Sequence, residues 1–275
     1  VETPLITARF SNKGGRLVSI KLNNYKTYSG DSLYLFTEDS TFLDFQFQFE
    51  KRSIVGSDLY FTPEIILPKS EDDSTVIKFK AYAGSNSRFI EQVYTFFPRD
   101  YMSKYSINFE GMPDVVSENN NAIFLNWQMK PLHKEKGLTL EQQKTTFFFL
   151  TNDEDTYYLS EGQDDEQVME LPTDWIAFKQ QFFSVVLITD QKFKPNTTVL
   201  TTKKLQSTDY VMNLQARMNL DMTNGEIPMD LYLGPNGYSK LASYGIGLDK
   251  QIDLGWGIFG WVNRFLVIPV FNVLD

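Results

Sequence analysis

The sequence predicts a mainly β protein, a large β-sandwich with a short helical appendix at its C-terminus. Three observations carry this. Apolar and polar residues alternate with period two through most of the chain up to Leu233, in runs rich in aromatic and β-branched side chains. Short clusters of Gly, Pro, Asn and Asp interrupt these runs with the chemistry of tight turns. After Gly234 the spacing becomes helical and ends in a nearly continuous apolar stretch, Leu254–Leu274.

In chain order, Leu5–Phe10 and Leu17–Leu22 read as strands around Ser11–Gly15, where Gly14 and Gly15 supply positive φ. Thr41–Glu50 puts Phe42, Asp44, Gln46 and Gln48 on one face and Leu43, Phe45, Phe47 and Phe49 on the other, so one face is buried. Val76–Ala83, Phe89–Phe97, Tyr101–Phe109 and Ile123–Met129 continue in that style, and Leu138–Lys144 is a short candidate helix. The acidic middle, Asn152–Asp155 and Glu161–Glu170, lacks the Asx spacing and glycine of a calcium loop and reads as a solvated loop. Asp174–Gln181 leads into Phe182–Thr189, whose unbroken hydrophobics mark a buried strand. Asn196-Thr197-Thr198 fits a short glycosylation pattern and reads as a turn.

Tyr210–Leu220 and Ile227–Leu233 read as a hairpin about Asn224-Gly225. From Gly234, Pro235 sits in a first helical turn, and Tyr238, Leu241, Ala242 and Leu248 form a stripe broken by Gly245 and Gly247. The expected division is thus residues 1–233 as sandwich and 234–275 as helical segment. No internal repeat and no Pro-, Ser- or Gly-rich linker interrupts the chain.

Composition excludes whole classes of chemistry. A net charge of −9 over 275 residues argues against a nucleic-acid partner, which needs a basic face. With no cysteine there is no disulfide, thiolate metal site or cysteine nucleophile. The single histidine, His133, cannot build a two-histidine zinc site and reads as an exposed turn residue. No GxSxG elbow and no Walker or Rossmann glycine pattern occurs. The 35 acidic residues leave any catalytic carboxylate pair unselected. A non-enzyme without cofactor or metal is expected. The start at Val1, with neither initiator Met nor signal peptide, reads as a processed or excised fragment.

The apolar end is not a clean membrane span, because Asn263 and Arg264 interrupt it and Pro269 follows. As a helix it would be apolar almost all round, and it needs apolar neighbours on most sides.

Tyr232–Leu274, opening on Tyr-x-Gly-Pro and carrying Asp253-x-Gly-Trp256, resembles the end of the large periplasmic domain of the YidC membrane-protein insertases in their Bacteroidetes form. Phe10–Leu22 and Trp175–Phe183 agree with it in the expected order. The resemblance implies a galactose-mutarotase-like β-supersandwich on the periplasmic side of the bacterial inner membrane, preceded by one span and followed by five. It implies an insertase and chaperone whose partners are nascent membrane proteins and Sec translocon components. The family's transmembrane arginine lies in the following spans, and Arg264 does not match it. In this setting the last stretch becomes a membrane-interface helix, with Trp256, Phe259, Trp261, Arg264, Phe265 and Leu266 at the bilayer surface. Any dimer of the isolated chain through that stretch would be an artefact of missing lipid. The alternative reading is a carbohydrate-binding or mutarotase-like sandwich, against which a lone histidine counts.

Overall fold

The computed structural model describes residues 1–49, 52–113, 115, 121–152 and 155–253. The chain divides into two compact units, Val1–Gly234 and Pro235–Asp275. The first begins with β1 (Ile6–Ser11), β2 (Arg16–Lys26) and β3 (Ser32–Phe36), a three-stranded antiparallel sheet in that order. Gly14 and Gly15 turn β1 into β2 at φ of 80° and 59°, as the paired glycines predict.

The chain continues through β4 (Thr41–Phe49), β5 (Arg52–Val55), β6 (Thr62–Ile66), β7 (Thr75–Ser85), β8 (Arg88–Phe96), β9 (Met102–Glu110) and β10 (Ala122–Met129). Helix α1 (Leu138–Gln143) precedes β11 (Thr146–Thr151), β12 (Thr156–Tyr158), β13 (Asp165–Val168), β14 (Thr173–Lys179) and β15 (Phe183–Phe193). Then come β16 (Val199–Lys204), β17 (Met212–Asp221) and β18 (Glu226–Pro235).

These strands build a six-stranded sheet, β13-β16-β17-β10-β4-β5, and a nine-stranded sheet, β12-β11-β14-β15-β18-β9-β8-β7-β6. Aromatic rings join the layers. Trp127 on β10 lies 4.9 Å from Phe178 on β14, and Phe47 on β4 lies 5.0 Å from Phe109 on β9. Phe10 on β1 packs 5.0 Å from Tyr94 on β8, so the small sheet covers the nine-stranded one as well. The architecture is the large, mainly β sandwich expected from the sequence, in the supersandwich form that the family resemblance implies. Strand β15 is buried from Phe183 to Thr189, as its continuous hydrophobics predict.

Two local expectations are corrected. Asn224 and Gly225 form the expected positive-φ turn, at 54° and 80°, but the strands beside it meet only at the Thr223–Glu226 bridge. β17 instead enters the six-stranded sheet between β16 and β10, and β18 enters the nine-stranded sheet between β15 and β9. Each strand gains a partner on both sides, which a two-stranded hairpin cannot give. Pro235 closes β18 rather than opening a helix, and a strand end tolerates its missing N–H. Helix α2 (Tyr238–Ser243) begins after Gly237, and a 3₁₀ turn spans Leu248–Gln251. Between them Gly245 and Gly247 adopt φ of 70° and 74°.

Candidate functional site

His133 is not the exposed turn residue its sequence suggests. Its side chain is 20% exposed and its Nε2 is buried, 3.7 Å from Glu141 Oε2. Its Nδ1 lies 3.1 Å from the Thr208 carbonyl, which only accepts, so Nδ1 carries a proton. Glu141, on α1, accepts the backbone N–H groups of Lys134 and Glu135. Lys134 is fully buried and donates from Nζ to the Leu132 carbonyl and, at 2.6 Å, to Gln180 Oε1. Burial pushes the Lys134 ammonium down to about 8, opposed by Glu141 and Glu135. Burial likewise raises the Glu141 carboxyl, opposed mainly by the Lys134 N–H and ammonium.

The backbone N–H of Tyr28 donates to the Lys134 carbonyl, and its ring centre lies 6.0 Å from that of His133. The cluster thus ties the β2–β3 turn, the segment after β10, helix α1 and the loop before β17 into one clamp. Its hydrogen bonds hold these segments to one another. A histidine and a glutamate, the pair that sugar epimerisation calls for, thus lie 3.7 Å apart.

Among the clefts of the first unit, two differ sharply in chemistry. One, of about 310 Å³, crosses β8, β9, β18 and β15 on the nine-stranded sheet, with Lys104, Asp190 and Asp230 among polar neighbours Thr95, Ser106 and Thr189. Burial raises the Asp230 carboxyl; Lys104, its cross-strand partner, lowers it, and Asp190 raises it further. The other, of about 180 Å³, is apolar and lies among Phe47, Phe49, Ile54, Tyr82, Ile90 and Met112. Among the described residues, no three acidic or histidine side chains converge as a metal site.

Among the described residues, the longest run of exposed large hydrophobics is on β6 and just after it: Ile65, Ile66 and Leu67 are 54%, 45% and 71% exposed. In sequence FTPEIILP gives a weak strand signal, because Glu64–Leu67 is short and bracketed by Pro63 and Pro68. Those two prolines were the available signal, since proline within a strand points to an edge. The interface residues expected from the sequence, Trp256, Phe259, Trp261, Arg264, Phe265 and Leu266, lie outside the described residues. Among the described residues no helix is long and apolar enough to cross a membrane.

The family described as the YidC periplasmic domain matches residues 1–269. The membrane protein insertase YidC of Parabacteroides distasonis is 32% identical over all of this chain and 44% of its own length. That of Phocaeicola vulgatus is 32% identical over all of this chain and 45% of its own length. The chain therefore spans less than half the length of these relatives. Among solved structures, the α-N-acetylgalactosaminidase NagBb of Bifidobacterium bifidum aligns at a TM-score of 0.54 with 10% identity, over 93% of this chain and 39% of that one. That likeness is one of fold alone. With that match along residues 1–269, the chain belongs to the YidC periplasmic domain family.

Proposed function

We propose that the chain is the periplasmic part of a membrane protein insertase of the bacterial inner membrane. It acts there as a non-catalytic, chaperone-like contact surface for nascent membrane proteins and for Sec translocon components. The observation that carries this is the family match along residues 1–269, supported by relatives named as insertases. The geometry favours contact over catalysis, because the one histidine is locked into a structural clamp. The segment holding Trp256, Phe259, Trp261, Arg264, Phe265 and Leu266 lies along the membrane surface in this reading.

The test has two arms. In cells depleted of their own insertase, photocrosslinkers placed on this domain of the full-length protein should capture nascent membrane proteins. Insertion that proceeds with no such capture would remove the contact role. In liposome flotation the chain should float with anionic vesicles and lose flotation when residues 250–275 are deleted. Failure to float with any lipid composition would count against the interface segment.

A second reading rests on the cleft around Lys104, Asp190 and Asp230, where hydroxyls and both signs of charge suit a polyhydroxylated sugar. Calorimetric titration with common hexoses tests it, and the absence of saturable heat would dismiss it.

A further inference from the structure

The nine-stranded sheet runs one strand further than the core does. β6 is its outermost strand and, among the described residues, pairs on one side only, with β7, in the register Thr62↔Lys80 to Ile66↔Val76. Directly paired residues share a face of an antiparallel sheet. Glu64 and Ile66 therefore lie on the face of Lys78 and Val76, where Glu64 meets Lys80 at 3.4 Å. Pro63 and Ile65 lie on the face of Phe79 and Ile77, two core residues that are 1% and 4% exposed. Ile65 nevertheless remains 54% exposed. The core surface continues past its last covering strand into water.

The backbone of this edge is also legible. A strand accepts proline where the lost N–H would have pointed away from its neighbour. That places Pro63 in an outward-pointing position, and Ile65, two residues on, has the same parity. β7 then serves Thr62, Glu64 and Ile66, while the Ile65 N–H and the carbonyls of Ile65 and Pro63 face outward. The usual protections of an edge are a charge pointing into it, a bulge or a cover. Here Glu64 is engaged by Lys80, and Pro63 guards only one end.

We propose that β6 is a docking edge, to which an extended apolar segment of a membrane-protein substrate adds as a further strand. This deepens the contact role proposed above and rests on that reading for the nature of its occupant. The added strand pairs with the Ile65 N–H and carbonyl and lays apolar side chains beside Ile65 on one face and Ile66 on the other. Main-chain pairing suits a surface that must accept many sequences, because it reads no side chain. An apolar substrate segment matches the exposed run Ile65-Ile66-Leu67, beside which Glu64 and Lys80 keep the rest of the second face charged. A second copy fits less well. Antiparallel pairing about Ile65 would set Glu64 of each copy against Ile66 of the other, and both copies carry a net charge of −9.

The probe is a fluorescein-labelled peptide with a central Val-Ile-Val-Ile-Val and Gly-Ser flanks, titrated into the chain and followed by anisotropy. Saturable binding is expected. It should weaken at least tenfold when alternate peptide residues are N-methylated, and equally in Ile65→Pro and Ile65→Lys, whose folding is checked by circular dichroism. The N-methylated peptide needs no protein variant, so a poorly folded mutant does not blur the outcome. Equal binding by the variants and the N-methylated peptide, or no binding up to the peptide's solubility limit, would overturn the proposal. So would a dimer in sedimentation velocity that Ile65→Lys dissolves, since the occupant would then be a second copy. Capture of nascent chains by the full-length protein that persists unchanged in Ile65→Pro would sink the edge while leaving the broader contact role standing.

Discussion

The side-chain amide of Gln92 donates to the carbonyl of Gly14 across 2.7 Å, pinning the β1–β2 turn onto β8. The other end of the same amide accepts the Tyr105 hydroxyl at 2.8 Å, and Tyr105 stacks on Tyr94 at 4.5 Å. Gln92 is 1% exposed, so nothing from solvent replaces it. Gln92→Ala should cost about 2–3 kcal/mol, because it strands a buried carbonyl and a buried hydroxyl together. Urea denaturation read by tryptophan fluorescence gives the value, and a loss below about 0.5 kcal/mol would mean that the network carries little.

Gly15 faces that same amide. A methyl group there would lie 2.5 Å from Gln92 Nε2 and 3.1 Å from Phe79 Cβ, on a backbone at φ +59°. Gly15→Ala should therefore destabilise by more than the roughly 1 kcal/mol of left-handed strain alone. Combined with Gln92→Ala its cost should shrink, since the closest obstacle is gone. Strict additivity in the double-mutant cycle would refute the clash.

Trp127 fills the gap between layers, with Phe178 at 4.9 Å, Phe36 at 6.3 Å and its indole N–H donating to Thr41 Oγ1 at 2.9 Å. Trp127→Ala should cost about 3–5 kcal/mol. Trp127→Phe should recover most of that while leaving the Thr41 hydroxyl without its donor. Thermal unfolding of the three proteins ranks them, and a Phe variant no better than Ala would put the hydrogen bond above the packing.

Lys134 makes stability depend on alkaline pH. Its folded value of about 8 lies below the ordinary 10.5. Between those two values the unfolded chain binds more protons, so folding stability rises with pH through that window. Below about pH 8 the buried ammonium carries its full penalty, about 3 kcal/mol in all. Denaturation midpoints from pH 7.5 to 10.5 should show this rise, and Lys134→Met should flatten it. An unchanged slope in the variant would assign the effect to another group.

The fold was readable where one face of a strand is wet, and less so elsewhere. Thr41–Phe49 shows its alternation plainly, with one departure in Asp44. Asp44 is buried because its Oδ1 accepts the backbone N–H groups of Phe45 and Ser57, both at 2.8 Å. Residue type did not reveal those two donors. β3, β5, β6, β11, β12 and β16 carry no clear sequence signal, and β13 lies in the acidic stretch that reads as a solvated loop, because each has six or fewer residues and owes its structure to neighbours distant in sequence. Asn224-Gly225 announced a turn correctly, yet local chemistry cannot say that its two arms join different sheets. His133 shows the same limit: its burial depends on Thr208 and Glu141, which the sequence does not place beside it.

That corner at Asn224-Gly225 sets an order on folding. In the six-stranded sheet β17 separates β13 and β16 from β10, β4 and β5; in the nine-stranded sheet β18 separates β11, β12, β14 and β15 from β6 to β9. Each sheet is therefore two half-sheets until one strand closes it, and a single two-residue turn delivers both closing strands. As the chain is synthesised from its N-terminus, the meander β7-β8-β9 can pair as it emerges, but the six-stranded layer is not continuous until residue 221 has appeared, nor the nine-stranded one until residue 235. Ribosome-stalled chains ending before Met212 should be cut readily by protease, and those extending past Pro235 should resist it.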